Sequence, residues 1–207
     1  MLQVEVVVLG PVETNAYIIA DPALRRCVVI DPGMNPGALL RKIADYEVEA
    51  ILLTHAHFDH IGGVDELRKL KGCPVYIHDA EADWLINPKK NGSLNWPGMD
   101  QPVTTDPAEF ALDHNQTLKL LGENFKVLHA PGHSPGSVCF LLGDKLFGGD
   151  VLFRHSIGTT ELPGGSSKEL YNSIHSVLFK LPQETTVYPG HGPRTTIGYE
   201  MENNPYV

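Results

Sequence analysis

The chain opens with three short apolar runs, each closed by residues that break regular structure. VEVVVLG, AYIIAD and CVVIDPG are rich in β-branched and apolar residues and end at Gly, Asp or Pro, which predicts three successive strands in an antiparallel opening. PGALLRKIADY then places Leu39, Leu40 and Ile43 at helical spacing. EAILLT is a short buried strand, and VDELRKLKG an amphipathic helix that Gly72 stops. PVYIH reads as the next strand and DAEADWLI as a helix capped by Asp79. From Asn87 to Glu109 the Pro, Gly and Asn content predicts a long loop carrying Trp96, of the kind that is either a functional lid or a disordered segment.

The second half repeats the style. TLKLLG, FKVLHA, SVCFLLG and KLFGGD predict strands, and SSKELYNSIHSVLFKL predicts a helix. TTVYPGHG is a last strand running into a loop, which leaves RTTIGYEMENNPYV as a short tail. No tandem repeat and no linker divides the chain, so residues 1–207 are read as one domain. Strands first, then helix and strand mixed in each half, predict an α/β fold with two sheets and helices outside.

Composition narrows the partners. With 42% hydrophobic and 20% charged residues, a chain of 207 residues can bury a sizeable core and belongs with soluble globular proteins. A formal net charge of -9 works against a nucleic-acid surface, which relies on clustered Lys and Arg. No apolar run approaches the ~20 residues that span a bilayer, and MLQVEVVVLGP lacks the basic start of a secretory leader. Cys27, Cys73 and Cys139 are odd in number and widely separated, as expected of packing residues in a reducing cytoplasm.

The chemistry concentrates in ILLTHAHFDHIGG, where His55, His57, Asp59 and His60 crowd behind an apolar strand. In an extended segment alternate side chains share a face, so His55, His57 and Asp59 are expected along one side. His60 then needs a turn, which Gly62 and Gly63 allow. Imidazole and carboxylate together suit zinc, iron or manganese. One such run cannot complete two coordination spheres. The candidates for the rest are His133 in HAPGHSPGS, Asp150 in LFGGDVLF and His191 in YPGHGPR, each after an apolar strand and beside Gly or Pro. Asp31 in VVIDPG is either a turn residue or a partner that orients a ligand.

These motifs, in this order, resemble the metallo-β-lactamase superfamily over essentially the whole chain. The resemblance implies an αββα four-layer sandwich with two divalent ions at one edge of its sheets. It places His55, His57 and His133 on the first metal, Asp59, His60 and His191 on the second, and Asp150 between them. Zinc is the expected ion, with iron and manganese open. THAHFDHIGG, PGHSPGS, the GD-LF-R run and LPGG are similar to the short bacterial branch of the glyoxalase II group, the hydroxyacylglutathione hydrolases. That likeness implies cleavage of a small-molecule thioester; a hydroxide held between two metals is the expected nucleophile, and Asp59, a carboxylate placed to touch it, the expected acceptor of its proton. The helical domain that follows in the longer enzymes has no counterpart here.

In VLFRHSIGTTELPGG the short branch typically shows Gly where His155 stands, Arg where Thr159 stands and Asp where Glu161 stands. Arg154, His155 and Thr159 are therefore the candidate substrate contacts. Two other readings fit the same ligands: a dinuclear hydrolase of lactones, esters or phosphoesters, and a mononuclear iron enzyme resembling persulfide dioxygenases. β-Lactam hydrolysis occurs in the superfamily, with no residue here pointing to it.

Overall fold

The computed structural model describes every residue from Met1 to Val207 except Asn95, which falls within the expected loop. The first half of the chain builds one six-stranded sheet from β1 (Gln3–Leu9), β2 (Thr14–Asp21), β3 (Arg26–Ile30), β4 (Glu47–Leu52), β5 (Val75–His78) and β6 (Phe110–Leu112), in sequence order. The hairpin-linked strands β1, β2 and β3 pair antiparallel, as expected. From β3 onward pairing is parallel, because helical segments carry the chain back between β3 and β4 and between β4 and β5. These are α1 (Gly37–Lys42), α2 (Phe58–Ile61) and α3 (Val64–Lys71). Gly72 ends α3 in the left-handed conformation, φ 65°, where a side chain would be strained.

The second sheet holds β7 (Thr117–Leu120), β8 (Glu123–His129), β9 (Val138–Leu142), β10 (Lys145–Gly149), β13 (Thr186–Pro189) and β14 (Thr195–Thr196), with β14 at one edge and β7 at the other. Between β10 and β13 lie a small hairpin, β11 (Leu152–Phe153) and β12 (Ser156–Ile157), and helix α4 (Ser167–Ser176). The last helix, α5, runs over Ile197–Asn203.

Alternation along the central strands makes the layers. Tyr17, Ile19, Val28, Ile30 and Leu52 face Phe125, Val127, Phe140 and Phe147 across the gap between the sheets. Their neighbours Ile18, Val29 and Ile51 point outward under Leu39 and Ile43 at α1 and Leu67 of α3. On the other side, Cys139, Leu146 and Val187 lie under Leu170 and Ile174 of α4 and Ile197 of α5. Strands buried on both faces read as unbroken apolar runs, which is why these were legible in the sequence. The result is the expected αββα sandwich. All three cysteines are buried and free. Among the described residues no helix is long and apolar enough to cross a membrane.

One local expectation is corrected. DAEADWLI forms a 3-10 helix over Asp79–Trp84, and its cap is His78, whose Nδ1 accepts from the Ala80 N–H at 3.2 Å, in place of Asp79. The short tail after His191 contributes β14 and α5. The stretch between Asn87 and Glu109 is a loop, pinned by Asn91, a buried residue whose amide donates to the Trp84 and Val103 carbonyls.

Candidate metal centre

The sequence delivers its His and Asp residues to one end of the sandwich because each follows the end of a core strand. His55 and His57 come after β4, His133 after β8, Asp150 directly after β10, and His191 after β13. The two sheets are stitched together there. Asn15 at the start of β2 donates through its backbone N–H to the Gly190 carbonyl at 2.7 Å and through its amide to Pro189 and Gly192, and the Tyr17 hydroxyl donates to Pro189 at 2.6 Å.

The extended alternation expected through Asp59 stops at Phe58. His57 is the last extended residue, with φ -67° and ψ 145°, and α2 begins at once, so Asp59 and His60 follow one another on a helical turn. Two groups result. Nitrogens of His55, His57 and His133 lie within 4.8 Å of one another, and so do ligand atoms of Asp59, His60 and His191. Asp150 touches both groups: its Oδ1 is 3.4 Å from His60 Nε2, and its Oδ2 is 3.6 Å from His133 Nε2 and 3.4 Å from His191 Nε2. Gly190 is required at this point, because a Cβ there would stand 2.0 Å from Asp150 Oδ1.

A buried relay decides which ring nitrogens face the centre. Asp31, 2% exposed, accepts from the Thr54 N–H at 2.8 Å, from the Thr54 hydroxyl at 2.6 Å and from His60 Nδ1 at 2.9 Å. With its proton committed to Asp31, the Thr54 oxygen accepts from His55 Nδ1 at 3.0 Å. His133 Nδ1 donates to the Thr159 carbonyl at 2.7 Å. In all three rings Nδ1 is engaged, so Nε2 is the nitrogen turned to the centre, and in His60 it offers a lone pair only once the proton that Asp59 and Asp150 favour is displaced.

The residues fit a metal. His55 Nε2 and Asp150 Oδ1 are buried with no hydrogen-bond partner in the protein, a costly state unless a cation completes them. His57 Nδ1 approaches His133 Nε2 to 2.9 Å, and His60 Nε2 approaches His191 Nε2 to 3.3 Å. Such crowding of imidazole nitrogens suits a shared ion, since ligands ~2.0–2.1 Å from zinc lie close to one another.

Electrostatics separate the two groups. Burial, reinforced by His60, His57 and His133, holds His55 well below the ordinary histidine range, and burial with His133 brings His57 down to about 3. Both rings are neutral at neutral pH. Burial also opposes charge on His60, yet Asp59, Asp150 and Asp31 outweigh it and lift this ring well above its usual value. Burial opposes charge on His191 too, but the bonds it donates to the Asp150 and Asp59 carboxylates raise it to about 9. Burial pushes Asp59 upward, but His60 and His191 prevail and draw it down to about 2.

Two supports had no signal in the sequence. Thr14, fully buried, donates its hydroxyl to Asp59 Oδ2 at 2.7 Å. Glu81, also fully buried, accepts from the Ala56 N–H at 2.6 Å and the Gly136 N–H at 2.7 Å, and so ties the His55–His57 segment to the loop that carries His133. Each is a single polar residue whose partner lies tens of positions away.

A cavity of about 180 Å³ adjoins the cluster, with Val12, Phe58, Trp96, Leu162 and Thr159 among its walls. Thr159 is one of the lining residues. Arg154 and His155 do not line it: the Arg154 guanidinium lies 5.5 Å from the centre of the Tyr199 ring, and His155 Nε2 is 2.8 Å from the Tyr199 hydroxyl.

Two mixed sheets face to face, helices on both outer faces and a His/Asp cluster at the strand ends define a metal-dependent hydrolase of the sandwich type. The chain belongs to the metallo-beta-lactamase superfamily, whose family model matches residues 9–191. Among its relatives is a probable metallo-hydrolase, YqgX, of Bacillus subtilis (strain 168), 40% identical over 96% of this chain and 94% of that one. Hydroxyacylglutathione hydrolase GloC of Haemophilus influenzae is 32% identical over 100% of this chain and 98% of its own. Among solved structures, BLEG-1 B3 metallo-beta-lactamase superposes with a TM-score of 0.93 and 44% identity, covering 99% of each chain. TTHA1623 in a di-iron-bound form gives 0.84 and 40%, covering 98% of this chain and 100% of that one.

Proposed function

We propose that the protein is a dinuclear thioester hydrolase that cleaves S-acyl, most often hydroxyacyl, derivatives of a small thiol. The observation that carries this reading is Asp150, whose carboxylate contacts members of both ligand groups and so occupies the position of a bridge. His55, His57 and His133 hold the first ion in this reading, and Asp59, His60 and His191 the second. When bound, two divalent cations polarise the scissile carbonyl and make water a nucleophile at neutral pH.

The chain's own residues do the rest. Asp59 is ionised at neutral pH, and its Oδ2, which accepts from Thr14, lies 3.3 Å from His60 Nε2 and 3.2 Å from His191 Nε2, so in this reading the carboxylate that would hold the second ion also takes the proton of the attacking water. Asp31 and Thr54 keep the His60 and His55 rings in the tautomer that turns Nε2 inward. Val12, Phe58, Trp96 and Leu162 offer an apolar wall to a short acyl chain, and Thr159 stands at the same wall as a polar contact. Water adds to the carbonyl carbon, the C–S bond breaks, and the sulfur leaves as a thiolate. The likeness to GloC supports the thioester, and the likeness to the di-iron TTHA1623 supports two ions while leaving iron beside zinc.

A second reading has its own support. BLEG-1, a B3 metallo-beta-lactamase by title, matches 99% of this chain at 44% identity, and a β-lactam is likewise a carbonyl made reactive by its leaving group. One experiment separates the two. Protein of measured metal content is assayed against S-lactoylglutathione, acyl esters of other small thiols, simple lactones and a penicillin. Thioester turnover well above the rest is expected. Preference for the penicillin would transfer the assignment to the β-lactam reading, and one iron per chain with oxygen uptake would defeat both.

A further inference from the structure

Arg154 and Arg194 line a separate cavity of about 470 Å³ together with Thr186, Thr196 and Tyr199, and no residue of this lining belongs to the pocket beside the His/Asp cluster. The arginine ion pairs of the molecule involve Arg26 and Arg68. Arg154 and Arg194 have no carboxylate partner among the described residues. In a chain of net charge -9, two arginines that line one cavity and have no carboxylate partner among the described residues form a local exception to the charge balance. Their mutual repulsion is relieved by a bound anion.

We propose that this cavity is a second binding site, distinct from the catalytic pocket, for a phosphate group, free or as a phosphomonoester. Guanidinium forks pair bidentately with phosphate oxygens, and two of them supply the charge that matches a phosphomonoester of about -1.5 to -2. The cavity falls within the ~300–1,000 Å³ typical of small-molecule sites, which leaves room for an organic group beside the Tyr199 ring.

The walls are already held in place. Arg154 packs over Tyr199, whose hydroxyl is 2.8 Å from His155 Nε2. His155 occupies the left-handed region at φ 59°, a position where a side chain is strained. Its backbone N–H donates to the buried Glu200 carboxylate at 2.8 Å, and the Thr195 hydroxyl donates to the other oxygen of the same group. Glu200 thereby joins the β11–β12 turn, β14 and α5 into one rigid wall, so a ligand meets a site that needs little ordering.

The site also has a route to the metal centre. Arg154 lies four residues after Asp150, Arg194 lies three after His191, and the Phe153 ring meets His191 edge-on with 6.1 Å between centroids. A phosphate held by both arginines cross-links the segments that carry Asp150 and His191.

The test is titration of the metal-loaded protein with inorganic phosphate and with glycerol 3-phosphate at constant ionic strength, followed by calorimetry and phosphorus NMR. Because phosphate also reaches the metal centre, the wild type is expected to show two classes of site and the Arg154→Gln/Arg194→Gln double variant only one. Single Arg→Gln changes should weaken the lost class at least 10-fold, and Arg154→Lys, which keeps the charge without the fork, should weaken it less. Tighter binding of the monoester assigns the organic source, and equal binding assigns free phosphate. Identical stoichiometry and affinity in the wild type and a folded double variant would overturn the proposal, as would displacement of phosphate by acetate at matched concentration.

Discussion

The carboxylate of Asp31 accepts a hydrogen bond from His60 Nδ1 at 2.9 Å, and this bond determines which nitrogen of His60 faces Asp59 and Asp150. Asp31→Asn keeps the size but cannot accept from Thr54 N–H, Thr54 hydroxyl and His60 together. Metal affinity at the Asp59/His60/His191 group should fall by roughly 10–100-fold. Metal titration with stoichiometry measures it, and two ions per chain at wild-type affinity would remove the orienting role.

The same group gives a pH dependence. Without metal, His60 titrates well above its ordinary value and His191 at about 9, so both rings carry protons at pH 7. An ion entering there displaces about two protons. Apparent affinity should therefore rise as pH increases from 6 toward 9, and loading should acidify a weakly buffered solution. Affinity that is flat across this window would contradict the assignment of the charged rings.

His57→Ala and Asp150→Asn each remove a group that no neighbour replaces. Turnover should drop at least about 100-fold in both, with metal content falling in parallel. Near-normal kcat/KM in the two variants, checked at fixed protein and metal concentration, would show that the centre lies elsewhere.

Glu81→Gln retains one acceptor for two buried donors, the Ala56 and Gly136 N–H groups. One of them then faces an amide NH₂, at a cost of about 1–3 kcal/mol. Chemical denaturation of the metal-loaded variant should show that loss, and metal content should fall with it. An unchanged midpoint would reduce Glu81 to a bystander.

Trp96→Ala removes a ring that lies 4.8 Å from Phe58 at the pocket wall. The kcat/KM for the preferred acyl substrate should decline about 10-fold or more, with bound metal unchanged. Deleting the whole loop is a less clean experiment, because the Asn91 carbonyl accepts from the Phe58 N–H at 3.0 Å and so supports the helix carrying Asp59 and His60. Metal loss in Trp96→Ala would make this residue a support of the centre and not a specificity contact.

The central strands were legible because they are buried on both faces, as in CVVI and AYII, where apolar character survives any choice of register. Strands β6, β11, β12 and β14 have two or three residues each and owe their existence to a partner already in place. Helix α5 buries only Ile197 and Glu200, too few for an apolar stripe, and the buried charge is a poor signal of a packed face. Within the site, the ligand types stood out by crowding, and the start of α2 decided their grouping. Alternation would have set Asp59 beside His55, whereas a helical turn sets it beside His60. Thr14 and Glu81 look like any polar residue in a strand or a turn, and only the folded chain reveals that each meets the centre's framework.

The His/Asp residues emerge from the ribosome in four instalments, between His55 and His191. A nascent chain that has released its first sheet carries His55, His57, Asp59 and His60, yet neither group has its last nitrogen until His133 and then His191 arrive. Ion capture is consequently a late event of biosynthesis. An ion seated there adds one more link between halves already joined by a shared core and by the Asn15 and Tyr17 bonds, so that depletion of metal in the cell should leave a folded chain of lower stability.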